Sequence, residues 1–281
     1  MRATLAVILA RGLGTRLRSD DGAALDAAQA EAADAGVKGL MPLAGRPLLD
    51  YVLHALADGG VRDVVFVVPP GDSPLRRRYD EDAPPSRIRV RFAVQDEPRG
   101  TADALLAARD AVMAPLGASA DASGVRHFLM CNADNLYSTA AIESLVDWRG
   151  PGLVAYDADA LVQDGGVEPE RVQRFALVDV ASDGTLRAIV EKPAADHPLL
   201  TAQPRWVSMN LWRFTDAIFT ACAAVTPSVR GELELADAVR IAMERGERFG
   251  VLQRAEAVLD LTHRRDVAVL SERLRGVVPR P

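Results

Sequence analysis

Hydrophobic positions along the chain follow two periods. Leu5-Ala6-Val7-Ile8-Leu9 is a short unbroken apolar run that Gly12-Leu13-Gly14 ends, which predicts a buried strand over Thr4–Leu9. The β-branched run Val64–Val68, the alternating Ile88–Val94, the buried Phe128–Cys131 and Trp206–Phe214 predict further strands. Between them polarity repeats at helical spacing. Asp21–Ala35 is Ala-rich and acidic, with Asp20 or Asp21 placed to cap its start and Gly36 its end. Pro47 opens a helix through Leu56 that Gly59-Gly60 stops. Thr101–Met113, Thr139–Trp148, Leu233–Met243 and Arg264–Leu274 are also predicted helical. Val172–Val180 and Leu186–Glu191 flank Ser182-Asp183-Gly184, the pattern of a hairpin. Ala114–Gly124 and Asp157–Glu170 read as loops, and no internal repeat is visible.

Alternating strands and helices in the first half predict an α/β fold with a Rossmann-like, mainly parallel sheet covered by helices on both faces. The later hairpin adds antiparallel strands at its side. A length of 281 residues suits one α/β domain with extensions.

Composition narrows the function classes. Net charge is -6 with both signs mixed, which argues against a nucleic-acid surface. Arg greatly outnumbers Lys, so a Lys within a motif carries extra weight. The two cysteines, Cys131 and Cys222, give neither a disulfide framework nor a metal spacing, and a reduced cytoplasmic setting is expected. The apolar run at the N-terminus is too short to span a bilayer, so no membrane partner is expected.

After the first strand comes Leu9-Ala10-Arg11-Gly12-Leu13-Gly14-Thr15-Arg16-Leu17-Arg18. Two glycines allow a sharp bend and bring backbone N–H groups near an anion; Thr15 adds a hydroxyl and Arg16 a planar cation. The same tripeptide also serves as an ordinary strand–helix turn. A dinucleotide fold would want a third glycine where Leu17 stands, and the missing Gly-Lys-Ser/Thr ending excludes a P-loop.

This turn, followed by Lys38-Gly39-Leu40-Met41-Pro42-Leu43-Ala44-Gly45-Arg46-Pro47, resembles the signature of the sugar-phosphate nucleotidyltransferases, among them the glucose-1-phosphate thymidylyl-, uridylyl- and adenylyltransferases. The resemblance extends over nearly the whole chain. It implies a fold of the nucleotide-diphospho-sugar transferase type, with a nucleotide half over 1–150 and a sugar-phosphate half over 151–281. It also implies nucleotide contacts from Leu9, Ala10, Gly12, Gly14 and Thr15, and catalytic phosphate contacts from Arg16 and Lys38. Fixed cations relieve the repulsion between two reacting phosphates. Arg11 departs from the small residue usual there. The Ala-rich helix fills an insertion between Arg16 and Lys38, suited to covering the phosphate site or to a subunit contact, so a homo-oligomer stays open.

Gln95-Asp96-Glu97-Pro98-Arg99-Gly100-Thr101 resembles the family's base-recognition segment. A Gln amide can match a pyrimidine edge, and Gly100 permits close backbone approach; a polar turn capped by Thr101 is the plainer alternative. The segment is most like that of the uridylyltransferases, which implies UTP or dTTP, although adenylyltransferases keep similar residues. Asp134 ends the strand Phe128–Cys131 and resembles the first metal carboxylate, although an Asx-turn would also use it. Asp260 resembles the second, with Leu261-Thr262-His263 replacing the usual Thr-Gly-Thr; His263 is read as standing in for a structural Thr. Two carboxylates suit Mg²⁺.

By the same resemblance Glu191 holds sugar hydroxyls, while Lys192 and Arg230 hold the sugar phosphate. Asn210 lies on a strand lining the sugar pocket, where Gly is common, and Phe175-Ala176 replaces an aromatic–Gly pair. The implied substrates are a nucleoside triphosphate and a glucose-1-phosphate-like sugar phosphate. Two rival readings are a non-catalytic sugar-nucleotide-binding relative, which should have lost phosphate or metal groups, and a glycosyltransferase of similar fold. The second wants a D-x-D centre, and Asn132-Ala133-Asp134 lacks its first acid.

Overall fold

The computed structural model describes residues 2–12, 14–19, 21–114 and 120–281. Its centre is a nine-stranded sheet. The strands are β1 Leu5–Leu9, β2 Asp63–Val68, β3 Arg89–Val94, β4 His127–Asn132, β5 Gly152–Asp157, β6 Ala176–Val180, β7 Leu186–Val190, β8 Trp206–Thr215 and β9 Gly250–Arg254. They lie in the order β7-β6-β8-β4-β1-β2-β3, with β5 also on β8 and β9 on β5. β3, β2, β1 and β4 run parallel. β8 is antiparallel to β4, β5 and β6, and β6 and β7 form the expected hairpin. Strand order reverses between β1 and β4, so their carboxyl ends open the crevice in which such sheets bind ligands.

The inner parallel strands β1, β2 and β4 are apolar on both sides because helices cover both faces, whereas the edge strand β3 alternates Arg89 and Arg91 with Val90 and Phe92. In β1, Ala6 and Ile8 join one core with Leu49, Leu53 and Leu56 of helix α2. Leu5 and Val7 point the other way, into a core with Ala102 and Leu105 of α3 and Leu235 and Val239 of α5. The helices used below are α1 Ala27–Ala35, α2 Leu48–Asp58, α3 Thr101–Ala107, α4 Thr139–Asp147, α5 Leu235–Glu244 and α6 Asp266–Arg273. Burying a side chain such as Ile8 contributes about 1.5–3 kcal/mol.

Several elements differ from the sequence expectation. Helix α1 begins at Ala27, because Asp26 and Gln29 close a reciprocal capping box of 2.8 and 3.1 Å. Asp21 instead accepts N–H groups of Ala23 and Arg265, and Asp20 and Leu13 lie outside the described residues. Thr101–Met113 splits at Ala108, whose N–H tightens onto Leu105 O. The Asp157–Glu170 region is largely helical: the Asp157 carboxylate caps Ala158–Gln163, and Pro169 starts a turn through Val172. Val172 therefore belongs to that turn, and the hairpin begins at Ala176. Of the Ala114–Gly124 loop, 115–119 lie outside the described residues; Ala120 bridges Arg126 across a turn.

Strands β5 and β9 were not anticipated, because each begins at a glycine that reads as a breaker. Gly152 pairs with Gly250, and both pass under Trp148. A Cβ on Gly250 would lie 2.4 Å from that ring, so these glycines are sites of close packing.

Candidate active site

The glycine turn leaves the carboxyl end of β1, where Ala10 N–H bonds Val67 O at 2.9 Å and Leu9 O accepts Ala133 N–H at 3.2 Å. Gly14 has φ +61°, and a Cβ on it would fall 2.1 Å from Gly36 O. The carboxyl end of α1 thus packs directly on the turn, and Arg18 reinforces the contact by donating to Ala35 O at 2.9 Å. Gly12 meets no protein atom within 4 Å of a built Cβ, so protein packing alone does not require a glycine there. Thr15 and Arg16 start the helical turn Thr15–Arg18. Among the described residues Arg16 has no side-chain bond or ion pair, and it lines the adjacent cleft.

Lys38 follows α1 on a short helical turn and donates from Nζ to Asp134 Oδ2 at 2.8 Å. Asp134 lies just beyond β4, and its carbonyl accepts Leu261 N–H at 2.9 Å. Asn135–Leu136 and Leu259–Asp260 pair as a two-residue antiparallel ribbon. That ribbon draws Asp260 to Asp134 from the far end of the chain. Asn135 Nδ2 donates to Asp260 Oδ1 at 3.0 Å.

Asp260 is also held by a residue that sequence reasoning overlooked. Arg171, in the turn Pro169–Val172, donates Nη2 to both the carboxylate and the carbonyl of Asp260. Its Nη1 bonds both oxygens of Asp266 at 3.1 Å, and Asp266 Oδ2 accepts the N–H groups of Thr262 and His263 at 2.7 Å each. Burial pushes the Asp260 carboxyl above its ordinary value; Arg171 pulls against it, and Asp134 adds to the push. Val167 and Val172 flank Arg171 as buried apolar residues, a sequence hint that the segment is packed.

The cleft in front of this network measures about 510 Å³. Arg16, Arg171, Phe175, Glu191, Lys192 and His263 line it. Glu191 keeps solvent-accessible surface at the rim, yet withdrawal of its carboxyl from bulk water raises its pKa to about 7. Glu234 and Glu232 add to this rise, and Arg230 opposes it. His263 is pushed below its ordinary value by burial, with Arg171, Arg265 and Arg16 adding to this against Asp266. A second cavity of about 400 Å³, near Val180 and Trp206, contains none of the expected site residues.

The segment Gln95–Thr101 is tied into the fold by several contacts of its own. Gly100, at φ +127°, faces the backbone of Leu233; a Cβ would sit 2.4 Å from Leu233 O. Thr101 Oγ1 accepts Leu235 N–H at 2.9 Å, capping α5. These bonds join the segment to the turn carrying Arg230, which pairs with Glu234. Gln95 is buried and gives its Nε2 hydrogens to Asp103 Oδ2 and Gly100 O, at 2.8 and 3.2 Å. Arg11 reaches across from the glycine turn to the carbonyls of Gln95 and Asp96, at 2.7 and 2.8 Å. Its large side chain therefore braces the glycine turn against the Gln95–Asp96 segment.

Asn210 is not among the residues lining the cleft. It has φ +59° and lies where the pairing of β8 with β5 shifts register between Ser208 and Trp212. The left-handed backbone accounts for the glycine expected there; Asn tolerates it. Lys192 also has positive φ, +45°, two residues beyond the end of β7.

Among the described residues no three His, Cys, Asp or Glu side chains cluster to hold an ion unaided. The pair Asp134 and Asp260 fits Mg²⁺ as a partial shell, since it offers only oxygen and Mg²⁺ keeps waters and phosphate oxygens. Each acid already faces a cation, Lys38 or Arg171, so the pair is built to sit against positive charge. Among the described residues no helix is long and apolar enough to cross a membrane.

The family model described as Nucleotidyl transferase matches residues 5–261. A glucose-1-phosphate thymidylyltransferase of Streptomyces griseus is 30% identical over 247 residues, covering 86% of this chain and 58% of that protein. The UTP–glucose-1-phosphate uridylyltransferase AglF of Haloferax volcanii is 26% identical over 270 residues, 96% of each chain. The chain thus spans under two thirds of the first relative and nearly all of the second. Among solved structures, the inositol-1-phosphate CTP transferase from T. maritima shares the fold, with a TM-score of 0.69, 16% identity and 99% coverage of both chains.

Proposed function

The chain belongs to the nucleotidyl transferase family, and from that premise we propose that it joins a nucleoside triphosphate to a sugar 1-phosphate. The favoured nucleotide is UTP or dTTP and the sugar is glucose-like. The products are a nucleoside diphosphate sugar and pyrophosphate. One observation carries the reading: Lys38, Asp134 and Asp260 meet beside the glycine turn, at the carboxyl ends of β1 and β4.

In the reaction, an oxygen of the sugar phosphate forms a bond to the α-phosphorus while the α–β bridging bond breaks. The attacking group needs no strong base, because a phosphate monoester has its second pKa near about 6. Catalysis is positioning and charge stabilisation. Arg16 and Lys38 neutralise the triphosphate. Lys192 and Arg230 hold the attacking phosphate, and Glu191 holds sugar hydroxyls. Asp134 and Asp260 would hold a divalent ion, which when bound supplies charge neutralisation on phosphate oxygens. Leu9, Ala10, Gly12, Gly14 and Thr15 cradle the nucleotide, and Gln95, Gly100 and Thr101 form the wall of the base site.

Gln95 supports the choice of base. Its amide hydrogens are engaged within the protein, leaving Oε1 as an acceptor for the N3–H of uracil or thymine. The test is a matrix of four triphosphates against several sugar 1-phosphates with Mg²⁺, read as pyrophosphate release. Turnover is expected for a uracil or thymine nucleotide with a hexose 1-phosphate. Absence of pyrophosphate from every pair would overturn the proposal.

A further inference from the structure

Arg171 and Asp260 are both buried, with side-chain exposures of 9% and 8%, and they are paired directly. Such a pair is hard to part, because separating it leaves a charge buried without a partner. Arg171 is also anchored on Asp266, so it can release Asp260 without losing its place. Its Nε is buried and unbonded, one donor short of satisfaction, in a side chain that lines the cleft. Around the acid pair, three carboxylates (Asp134, Asp260 and Asp266) face Lys38 and Arg171. Little negative charge is left over to draw in a free dication.

We propose that Arg171 is a built-in competitor for the divalent ion at Asp260, so that the ion enters with the triphosphate rather than before it. This rests on the reading of Asp134 and Asp260 as the ion-holding acids. Without nucleotide, Arg171 occupies Asp260 and Lys38 occupies Asp134. The triphosphate brings the negative charge that lets both cations turn toward phosphate oxygens, with Arg171 pivoting on Asp266. Arg171 is a positioning residue in this scheme, setting the order in which ligands bind.

The experiment measures Mn²⁺ binding to the nucleotide-free protein, by electron paramagnetic resonance of free Mn²⁺ and by the shift of Tm with Mn²⁺. Wild type is expected to bind weakly with little shift in Tm. Arg171→Gln, which frees Asp260 beside Asp134 with only Lys38 left facing the pair, is expected to bind about tenfold more tightly or better and to gain Tm with Mn²⁺. Arg171→Lys should stay near wild type. Equal Mn²⁺ affinity in wild type and Arg171→Gln would overturn the proposal. If Arg171→Gln does not fold, Asp260→Asn decides. The proposal expects its nucleotide-free Mn²⁺ affinity to match wild type, and a clear loss overturns it. Pyrophosphate release by wild type is assayed separately, so failure of the proposed reaction is distinguishable from failure of the competition.

Discussion

Lys38 Nζ stands 2.8 Å from Asp134 Oδ2, although 96 positions of chain separate them. Both side chains are partly exposed, so the pair can open toward a ligand, unlike a pair sealed in a core. Lys38→Met should lower kcat by about 10²–10³-fold, and Asp134→Ala should abolish pyrophosphate release. Both variants should fold, as circular dichroism would check. The double variant should be no worse than Asp134→Ala alone, because the two act as one unit. Normal turnover in Asp134→Ala would contradict the assignment.

The two glycines of the turn should respond in opposite ways. Gly14→Ala forces a left-handed φ on a side chain and drives its Cβ into Gly36 O. It should destabilise the fold by about 3 kcal/mol in urea unfolding. Gly12 has open space around it. Gly12→Ala should therefore leave the urea midpoint near wild type while raising KM for the triphosphate, through crowding of the phosphates. A large stability loss in Gly12→Ala would show that its glycine serves the fold.

These positions show what can be read from sequence and what cannot. The apolar runs of β1, β2 and β4 were legible because a strand buried on both faces must be apolar throughout. The chain has two lysines, Lys38 and Lys192, and scarcity marked both as site candidates; the first meets Asp134 and the second lines the cleft. Arg171 was hidden because its role depends on Asp260, brought to it only by the ribbon with Asn135–Leu136. The sequence marks Gly100 as a point of close backbone approach, and the Leu233 backbone is what approaches it. Pattern reports that a backbone must come close, and only the fold says whose.

Arg11 gives a prediction about geometry at a distance. Its guanidinium bonds the carbonyls of Gln95 and Asp96, and those bonds hold Gln95 in register with the glycine turn. Arg11→Ala should raise KM for the triphosphate several-fold and leave KM for the sugar phosphate unchanged. Arg11→Lys should recover only part of the loss, because an ammonium lacks the planar fork that spans two carbonyls. Steady-state kinetics with each substrate varied in turn would check this, and an unchanged nucleotide KM in Arg11→Ala would remove the bracing role.

Glu191 ties pH to stability. Its carboxyl is raised from 4.5 to about 7 in the fold, first by loss of solvent and then by Glu234, against Arg230. The folded state therefore holds this proton more tightly than the unfolded chain does. Its stabilising contribution is complete below about 4.5, declines as pH rises through about 7, and is gone above that. Glu191→Gln keeps a neutral side chain at every pH and should lack this decline. The difference in Tm between Glu191→Gln and wild type should widen as pH rises from about 4.5 to about 7, then level off. Bound sugar phosphate should change the profile if Glu191 meets its hydroxyls, because an ionised carboxylate accepts their hydrogens better than a protonated one. A Tm difference flat across that window would mean that Glu191 ionises as it does in water, leaving its neighbours without influence on it.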